Sequence, residues 1–251
     1  MALADRVDGA VTGPVDIVCP VRPTRPLPDH LKWVIRSWDQ HFDVARVILV
    51  GSLPDWAHPD KVEFVPTYQV YGKFWNIGIN LLATLASDVS DSFVWLNDDF
   101  FLLHDLDIVP LTNKGPWDDV IDKLGDPTGT KEHQEYIAGF RSQRDILRAW
   151  GYDTSVEPCT DLHTPFPVHK NRMVDLLTKV RTEFPDHPVG HFRGLYGAGL
   201  QSAYMTDVKV KKNDRLPNPD WWTVSTSLTS WNGALGEYLR ERFGRKSRWE
   251  K

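Results

Sequence analysis

Four short runs rich in β-branched and other apolar residues recur in the first hundred residues, and segments of helical periodicity separate them. The runs cover residues 15–21, 45–51, 62–66 and 92–96. Between the first two, behind a potential N-cap at Asp29, apolar side chains recur at helical spacing at Leu31, Val34, Ile35 and Trp38. A second helix is expected over residues 73–87. Strands that alternate with helices predict an α/β fold whose sheet is mostly parallel and flanked by helices.

The second half of the chain has a looser pattern. Pro- and Gly-rich loops separate helices predicted near residues 116–124, 132–150, 168–183 and 232–243. No internal repeat and no low-complexity tract marks a domain boundary. We therefore expect one domain over residues 15–251, preceded by a flexible tail at residues 1–14. Residues 15–110 supply the carboxyl ends of the parallel strands, where α/β proteins bind ligands, and residues 111–251 cover the sheet.

Composition narrows the classes of function. The chain has 34 acidic and 29 basic residues and a net charge of −5, whereas proteins that grip nucleic-acid backbone are usually basic. The only two cysteines, Cys19 and Cys159, favour a reducing compartment over a disulfide scaffold. No apolar run approaches the roughly 18 residues of a membrane span, and the N-terminus lacks the hydrophobic core of a signal peptide. We expect a cytoplasmic protein with no membrane span.

Three polar residues, Asn97, Asp98 and Asp99, follow the fourth strand directly and precede two phenylalanines. Adjacent carboxylates repel each other unless a cation lies beside them. A Mg²⁺ or Mn²⁺ ion bound by one or two carboxylates and by substrate phosphates meets that need. Asp99, assisted by Asp98, is therefore a candidate metal ligand. The alternative is an ordinary turn in which the Asn and Asp side chains cap the next segment.

The predicted helix before that strand carries a polar stripe on an otherwise apolar surface. Lys73, Asn76 and Asn80 are spaced i, i+3 and i+7, which places them on one face. If this face borders the acidic motif, Lys73 can reach a phosphate and the asparagines a nucleoside. Arg22, in the loop after the first strand, and Asn97 are further candidates for binding the same ligand. The alternative is that the stripe is merely the solvent-exposed face of the helix.

Two resemblances cover this part of the chain. Residues 72–99, with an amide-bearing helix face, a buried strand and an acidic motif, resemble the pattern of GT-A glycosyltransferases, which implies a Rossmann-like fold. The order of elements over residues 31–101, with Asn-Asp-Asp before an apolar pair, is similar to the core of Stealth-type capsular polysaccharide phosphotransferases. The segment at residues 162–168 resembles the later His-x-Pro block of the Stealth family.

A third resemblance extends over roughly residues 15–250. Small predicted glycosyltransferases of actinobacteria and phages look more similar still, because they share the His-Thr-Pro block and three later motifs. These motifs are Tyr-Gly at residues 196–197, Asp-Val-Lys-Val at 207–210 and Ser-Thr-Ser at 225–227. Where the related pattern continues with an acidic residue, this chain has Leu228.

The resemblance implies that His163, in the His-Thr-Pro block, belongs to the active site. It would act as a general base or as a metal ligand, and we expect it close to the acidic cluster. Pro165 and Pro167 would stiffen its loop. Asp98 and Arg193 are further candidates for a catalytic role. Arg193 lies in a Gly-rich loop, residues 190–199, that could close over a bound ligand; an ordinary exposed loop is the alternative.

Together the resemblances imply a metal-dependent glycosyltransferase that uses a UDP- or GDP-sugar donor and Mn²⁺ or Mg²⁺. The acceptor hydroxyl would belong to a protein, a glycan or a modified DNA base, and the helices and loops of residues 111–251 would cover the acceptor side. A Stealth-type sugar-1-phosphate transferase uses the same donor and is an alternative. A second alternative is a non-catalytic nucleotide- or sugar-binding protein, which the departure at Leu228 favours.

Overall fold

The computed structural model describes residues 9–23, 30–69, 72–126, 128–212 and 215–251. Its helices are α1 (His30–His41), α2 (Lys73–Ala86), α3 (Trp117–Leu124), α4 (Lys131–Ala149), α5 (Lys170–Glu183), α6 (Arg193–Gly197), α7 (Leu228–Trp231) and α8 (Ala234–Arg242). Its strands are β1 (Val11–Thr12), β2 (Val15–Val21), β3 (Val44–Gly51), β4 (Val62–Pro66), β5 (Ser92–Trp95), β6 (Phe100–Leu102), β7 (Ile108–Val109), β8 (Thr112–Asn113), β9 (Phe166–His169), β10 (Ala203–Tyr204), β11 (Lys209–Val210) and β12 (Thr223–Thr226).

A five-stranded sheet in the order β4-β3-β2-β5-β9 forms the centre of the fold. Its first four strands are parallel, and they coincide with the four predicted runs to within one residue at each end. Ile17 and Val18 of β2 are fully buried, as expected where helices cover both faces of a parallel sheet. The predicted α/β fold, with a sheet flanked by helices, is confirmed.

The fifth strand, β9, runs antiparallel to β5, with Phe166 opposite Trp95 and His169 opposite Ser92. The sequence predicts a helix from residue 168, but the strand delays the start of α5 to Lys170. Pro167 suits β9 because an edge strand can turn the missing N–H away from its neighbour. Since β9 is antiparallel, its first residue lies at the edge where β5 ends. The chain just before β9 therefore crosses the carboxyl edge of the parallel strands.

A smaller sheet, in the order β11-β12-β6, covers the same edge. β6 begins one residue after Asp99 and pairs antiparallel with β12, which places Phe100 opposite Ser225. β11 is parallel to β12, with Lys209 next to Ser225. This sheet brings two segments from the second half of the chain against the acidic motif.

The helices complete two apolar cores. α1 buries Leu31, Val34, Ile35 and Trp38 against the central sheet, as predicted. A second cluster forms where α3 and α4 pack around Trp117, Phe140 and Leu147. The predicted N-cap, Asp29, and most of the Arg- and Pro-rich loop lie outside the described residues.

The start of the chain differs from the flexible tail predicted for residues 1–14. Residues 1–8 lie outside the described part, but Val11 is buried and β1 pairs with β7. Residues 11 and 12 therefore belong to the fold. Both cysteines are buried free thiols. No helix among the described residues is long and apolar enough to cross a membrane.

Candidate active site

Asp99 lies in the gap between β5 and β6 and is almost completely buried, with 8% of its surface exposed. Its Oδ2 atom accepts hydrogen bonds from Ser225 Oγ at 2.9 Å and from Lys209 Nζ at 3.1 Å. Its Oδ1 atom is also buried but has no hydrogen-bond partner among the described residues. A buried carboxylate oxygen without a partner is costly, so this atom is suited to a ligand that the protein itself does not supply.

His163 lies beside Asp99, and its Nε2 atom is 3.8 Å from Asp99 Oδ2. Nδ1 is 2.8 Å from Ser225 Oγ, and Nε2 is 3.2 Å from Asn97 Nδ2. Ser225 has one hydroxyl proton and donates it to Asp99, so Nδ1–H of His163 is the donor to Ser225. The lone pair of Nε2 then accepts from Asn97. The ring therefore presents an unprotonated Nε2 at the site.

The environment keeps this imidazole neutral. Burial lowers the pKa of His163 to about 4, although the negative charge of Asp99 acts in the opposite direction. The edge of the ring also packs against Phe100, with ring centroids 4.6 Å apart. A neutral histidine can accept a proton or bind a metal ion, and the structure leaves both roles open.

Asp98 points into a cleft of about 340 Å³ at the carboxyl edge of the parallel strands. Burial raises the pKa of Asp98 to about 6 and the charge of Asp99 adds to this, while Arg22 and Lys209 partly offset it. Residues from both β2 and α2 line the same cleft: Pro20, Arg22, Pro23, Gln69, Lys73, Asn76, Ile77, Asn80 and Asn97. The cleft thus brings together every residue that the sequence suggests for donor binding.

The polar face of α2 borders this cleft. Lys73, in the first turn, donates to Glu132 Oε1 at 3.1 Å. Asn80, two turns further along the helix, is buried and its Oδ1 accepts from Thr67 Oγ1 at 2.6 Å. The face therefore has an exposed cation, Lys73, at one end and a buried amide, Asn80, at the other. This arrangement suits a ligand with an anionic part and a polar, uncharged part.

Arg193 does not lie in a loop of the kind that was expected to close over a ligand. It is the first residue of α6, and its Nη1 atom donates to the carbonyl oxygens of Leu162 and Thr164 at 2.8 and 2.9 Å. Its guanidinium group packs near the ring of Phe166, 5.2 Å from the centroid. Arg193 therefore fixes the backbone on both sides of His163, and its observed contacts are structural.

Sequence reasoning missed two residues that contact the acidic motif. Lys209 and Ser225 fall within the Asp-Val-Lys-Val and Ser-Thr-Ser segments, which the sequence singled out only by resemblance and without a role. No local pattern indicates that they reach Asp99, because they lie 110 and 126 residues away along the chain. Gln69, which lines the cleft and donates to Val21 O at 3.0 Å, was also missed.

The two predicted metal ligands, Asp98 and Asp99, match the small number of protein carboxylates that a hard divalent cation usually needs. The described residues contain no group of three or more His, Cys, Asp or Glu side chains that could hold a metal ion. Mg²⁺, however, is usually held by one or two carboxylates together with substrate phosphates, without a cage made only of protein atoms. Asp98 in the cleft and the unpartnered Oδ1 of Asp99 supply that number of oxygens.

Comparison with known proteins gives a structural match without a sequence match. No model of a known protein family matches the chain, and no curated protein matches its sequence. The structure is similar to galactosyltransferase LgtC in complex with donor and acceptor sugar analogs, with 11% identity and a TM-score of 0.51. The match covers 91% of this chain and 94% of LgtC, and an active-site mutant of LgtC gives the same values.

A weaker match is the apo form of the glycosyltransferase GlyE from Streptococcus pneumoniae TIGR4, with 10% identity and a TM-score of 0.37. It covers 93% of this chain and 61% of GlyE. Because sequence identity is so low, the match to LgtC concerns the fold. The chain shares the α/β fold of the glycosyltransferase LgtC, with a mixed sheet flanked by helices.

Proposed function

We propose that this protein is a glycosyltransferase that takes a sugar from a UDP- or GDP-sugar, with Mn²⁺ or Mg²⁺, and passes it to an acceptor hydroxyl. One observation carries the proposal: Asp98 and the polar face of α2 line a single cleft at the carboxyl edge of the parallel strands. Ligands of open α/β sheets bind at that edge. The fold shared with LgtC, which was solved with donor and acceptor sugar analogs, supports the same function.

The cleft suits the two parts of a nucleotide-sugar donor. Lys73 and Arg22 are the cations among the described residues that line it, and they would bind the diphosphate. Asn76, Asn80 and Gln69 offer amide donors and acceptors to a base or a ribose, as neutral polar ligands require. The volume of about 340 Å³ lies within the range for ligand pockets, at its small end.

Asp98 and Asp99 would hold the divalent cation, and the bound ion would neutralise the charge that develops on the departing nucleoside diphosphate. The protein would supply the remaining support through fixed contacts. Ser225 holds Asp99 by one oxygen, and the other oxygen has no hydrogen-bond partner in the described part of the chain. Asn97 holds the ring of His163 through a hydrogen bond to Nε2.

His163 is the candidate general base for the acceptor hydroxyl. Its Nδ1 proton is engaged with Ser225, so Nε2 carries the lone pair. This lone pair would accept the proton of the acceptor once the Asn97 side chain gives up its hydrogen bond to Nε2. Arg193 clamps the backbone before and after the histidine, which limits the movement of the ring. Fixing a reacting group in this way lowers the entropic cost of reaching the transition state.

The released nucleotide tests the proposal. The purified protein is incubated with a panel of UDP- and GDP-sugars and Mn²⁺, and the products are identified by chromatography and mass spectrometry. Release of a nucleoside diphosphate is expected. Release of a monophosphate would instead indicate transfer of a sugar 1-phosphate. Binding of nucleotide without any turnover of donor, across acceptors of all three classes, would indicate a non-catalytic binding protein.

A further inference from the structure

We propose that Lys209 is a built-in counter-cation that exchanges partners during donor binding. In the structure its ammonium group contacts and neutralises Asp99; when the divalent cation and the nucleoside diphosphate bind, it leaves Asp99 for the diphosphate. The inference rests on the proposed function, because it needs both a metal ion and a diphosphate in the cleft.

The first argument is the charge of the buried Asp99 carboxylate. Asp99 is 8% exposed, and a buried carboxylate without a compensating charge is strongly unfavourable. Lys209 Nζ lies 3.1 Å from Asp99 Oδ2 and is the cation among the described residues that hydrogen-bonds to it. The lysine thus occupies the electrostatic role that a divalent cation would take over.

The second argument is the direction in which the side chain of Lys209 projects. Lys209 lies next to Ser225 in the parallel pairing of β11 with β12, and neighbouring residues in register project their side chains to the same face. Both side chains accordingly donate to the same oxygen, Asp99 Oδ2. Asp207 Oδ1 accepts from the backbone N–H of Lys209 at 2.9 Å and fixes the start of the strand. The backbone is held while the long side chain stays free to turn.

The third argument is that the ammonium group can move. The side chain of Lys209 is 27% exposed, so it is not locked in the core. A lysine ammonium is a compact charge on a flexible stem, unlike the planar guanidinium of arginine. Asp99, which Lys209 contacts, is next in sequence to Asp98, and Asp98 lines the cleft. A short swing would therefore bring the ammonium group toward a ligand in the cleft.

The exchange has two consequences of opposite sign. A divalent cation at Asp99 must compete with the ammonium group and is repelled by it, so removing the lysine should strengthen binding of the metal ion alone. A diphosphate gains a charge-assisted hydrogen bond from the released ammonium group, so removing the lysine should weaken binding of the nucleotide. If Lys209 had only a structural role, its replacement would neither strengthen binding of the metal ion nor selectively weaken binding of the nucleotide.

Titration calorimetry on the full chain tests the inference with Mn²⁺ alone and then with UDP or GDP, whichever binds the wild type, in saturating Mn²⁺. For Lys209→Met we expect Mn²⁺ affinity to rise several-fold and nucleotide affinity to fall by about tenfold or more, the range for a hydrogen bond to a charged group. Lys212→Met, an exposed lysine on the same segment, is the matched control and should change neither affinity.

If Lys209→Met fails to fold, as judged by circular dichroism, Lys209→Gln replaces it in the same titrations. Equal losses of both affinities, or no change in either, would overturn the exchange while leaving the proposed function intact. A wild-type protein that binds neither Mn²⁺ nor nucleoside diphosphate would overturn both.

Discussion

The ammonium group of Lys73 lies 3.1 Å from a carboxylate oxygen of Glu132, so an ion pair joins α2 to α4 at the mouth of the cleft. The hydrogen bond and the charge of Lys73 lower the pKa of Glu132, and Arg22 contributes to the same shift. The two side chains are 39% and 62% exposed, and pairs of this kind contribute little to stability. A phosphate group can therefore take the place of the Glu132 carboxylate at small cost.

Replacing Lys73 should weaken nucleotide binding. Loss of a hydrogen bond to a charged group costs about 1.5–3 kcal/mol, and we expect Lys73→Met to bind UDP or GDP more weakly by that amount in calorimetry. Glu132→Gln should bind as well as the wild type or better, because it frees the ammonium group. Lys131→Met, on an exposed neighbour of Glu132, is the control. Unchanged binding in Lys73→Met would remove this lysine from the donor site.

Replacing either carboxylate of the acidic motif should abolish turnover without unfolding the protein. Asp98→Asn keeps the size of the side chain but removes charge from the cleft, and Asp99→Asn removes the oxygen that has no protein partner. We expect both variants to lose Mn²⁺-dependent nucleotide binding in calorimetry. Asp107→Asn, an exposed aspartate nearby in the sequence, should behave as the wild type. Metal-dependent binding that survives in Asp99→Asn would show that the assignment of this ligand is wrong.

Replacing His163 should distinguish a base from a metal ligand. If Nε2 accepts the acceptor proton, His163→Ala slows transfer by about 10²–10⁴-fold while Mn²⁺ and nucleotide affinities stay close to wild type. If the imidazole binds the metal ion, Mn²⁺ affinity falls as well. Steady-state rates and calorimetry on the same preparation separate the two cases. Near-normal rates in His163→Ala would exclude both roles.

Replacing Asp16 should affect stability and not binding, because Asp16 lies near the start of β2, at the opposite edge of the sheet from the cleft. Arg46 donates to both carboxylate oxygens of this buried residue, at 2.9 and 2.6 Å. Loss of such charged hydrogen bonds costs about 1.5–3 kcal/mol, so Asp16→Asn should lower the free energy of unfolding by that order. Nucleotide affinity should not change.

The effect of Asp16 should also depend on pH in a defined direction. Burial opposes ionisation of Asp16, but hydrogen bonds from Arg46 and Ser90 outweigh it, and the pKa of Asp16 is lowered. A lowered pKa means that the pair stabilises the fold fully above the unfolded value, about 3.9, and loses this effect as pH falls through the folded value. Urea titrations should show the deficit of Asp16→Asn shrinking in that range. Asp88→Asn, exposed beside the same arginine, is the control.

Replacing Gly190 should displace α2. A Cβ atom at this position would overlap the backbone carbonyl oxygen of Phe74 in the first turn of the helix. Overpacking of this kind costs about 1–3 kcal/mol, and here it would also push Lys73 out of place. We expect Gly190→Ala to lower the melting temperature and weaken nucleotide binding together. Gly72→Ala, where an added Cβ has its nearest neighbour at 3.9 Å, should leave both unchanged.

Local patterns were sufficient to predict the parallel part of the fold. The strands are fully buried apolar runs, and the helices carry apolar residues at regular spacing, so each signal lies within one short window of sequence. The grouping of Lys73, Asn76 and Asn80 with Asp98 followed from the same reasoning, because carboxyl ends of parallel strands meet at one edge. Their role in donor binding stays a prediction.

The remainder depends on pairing between distant segments, which leaves no periodic signal. β9 is only four residues long and contains Pro167, so its composition resembles a loop. β11 has two residues, and only its position against β12 brings Lys209 to Asp99. The expected role of Arg193 shows the same limit, because a Gly-rich loop and a short helix that clamps backbone carbonyls look alike in sequence.

The separation of Asp99 from its partners also has a kinetic consequence. Lys209 and Ser225 follow Asp99 by 110 and 126 residues, and closing such long loops slows folding more than forming contacts between near neighbours. The four parallel strands need only the first hundred residues, since β2, β3, β4 and β5 all lie there. During refolding from urea, burial of Trp95 in the sheet should therefore precede the recovery of nucleotide binding. We therefore expect the parallel strands to pair before Lys209 reaches Asp99 and neutralises its charge.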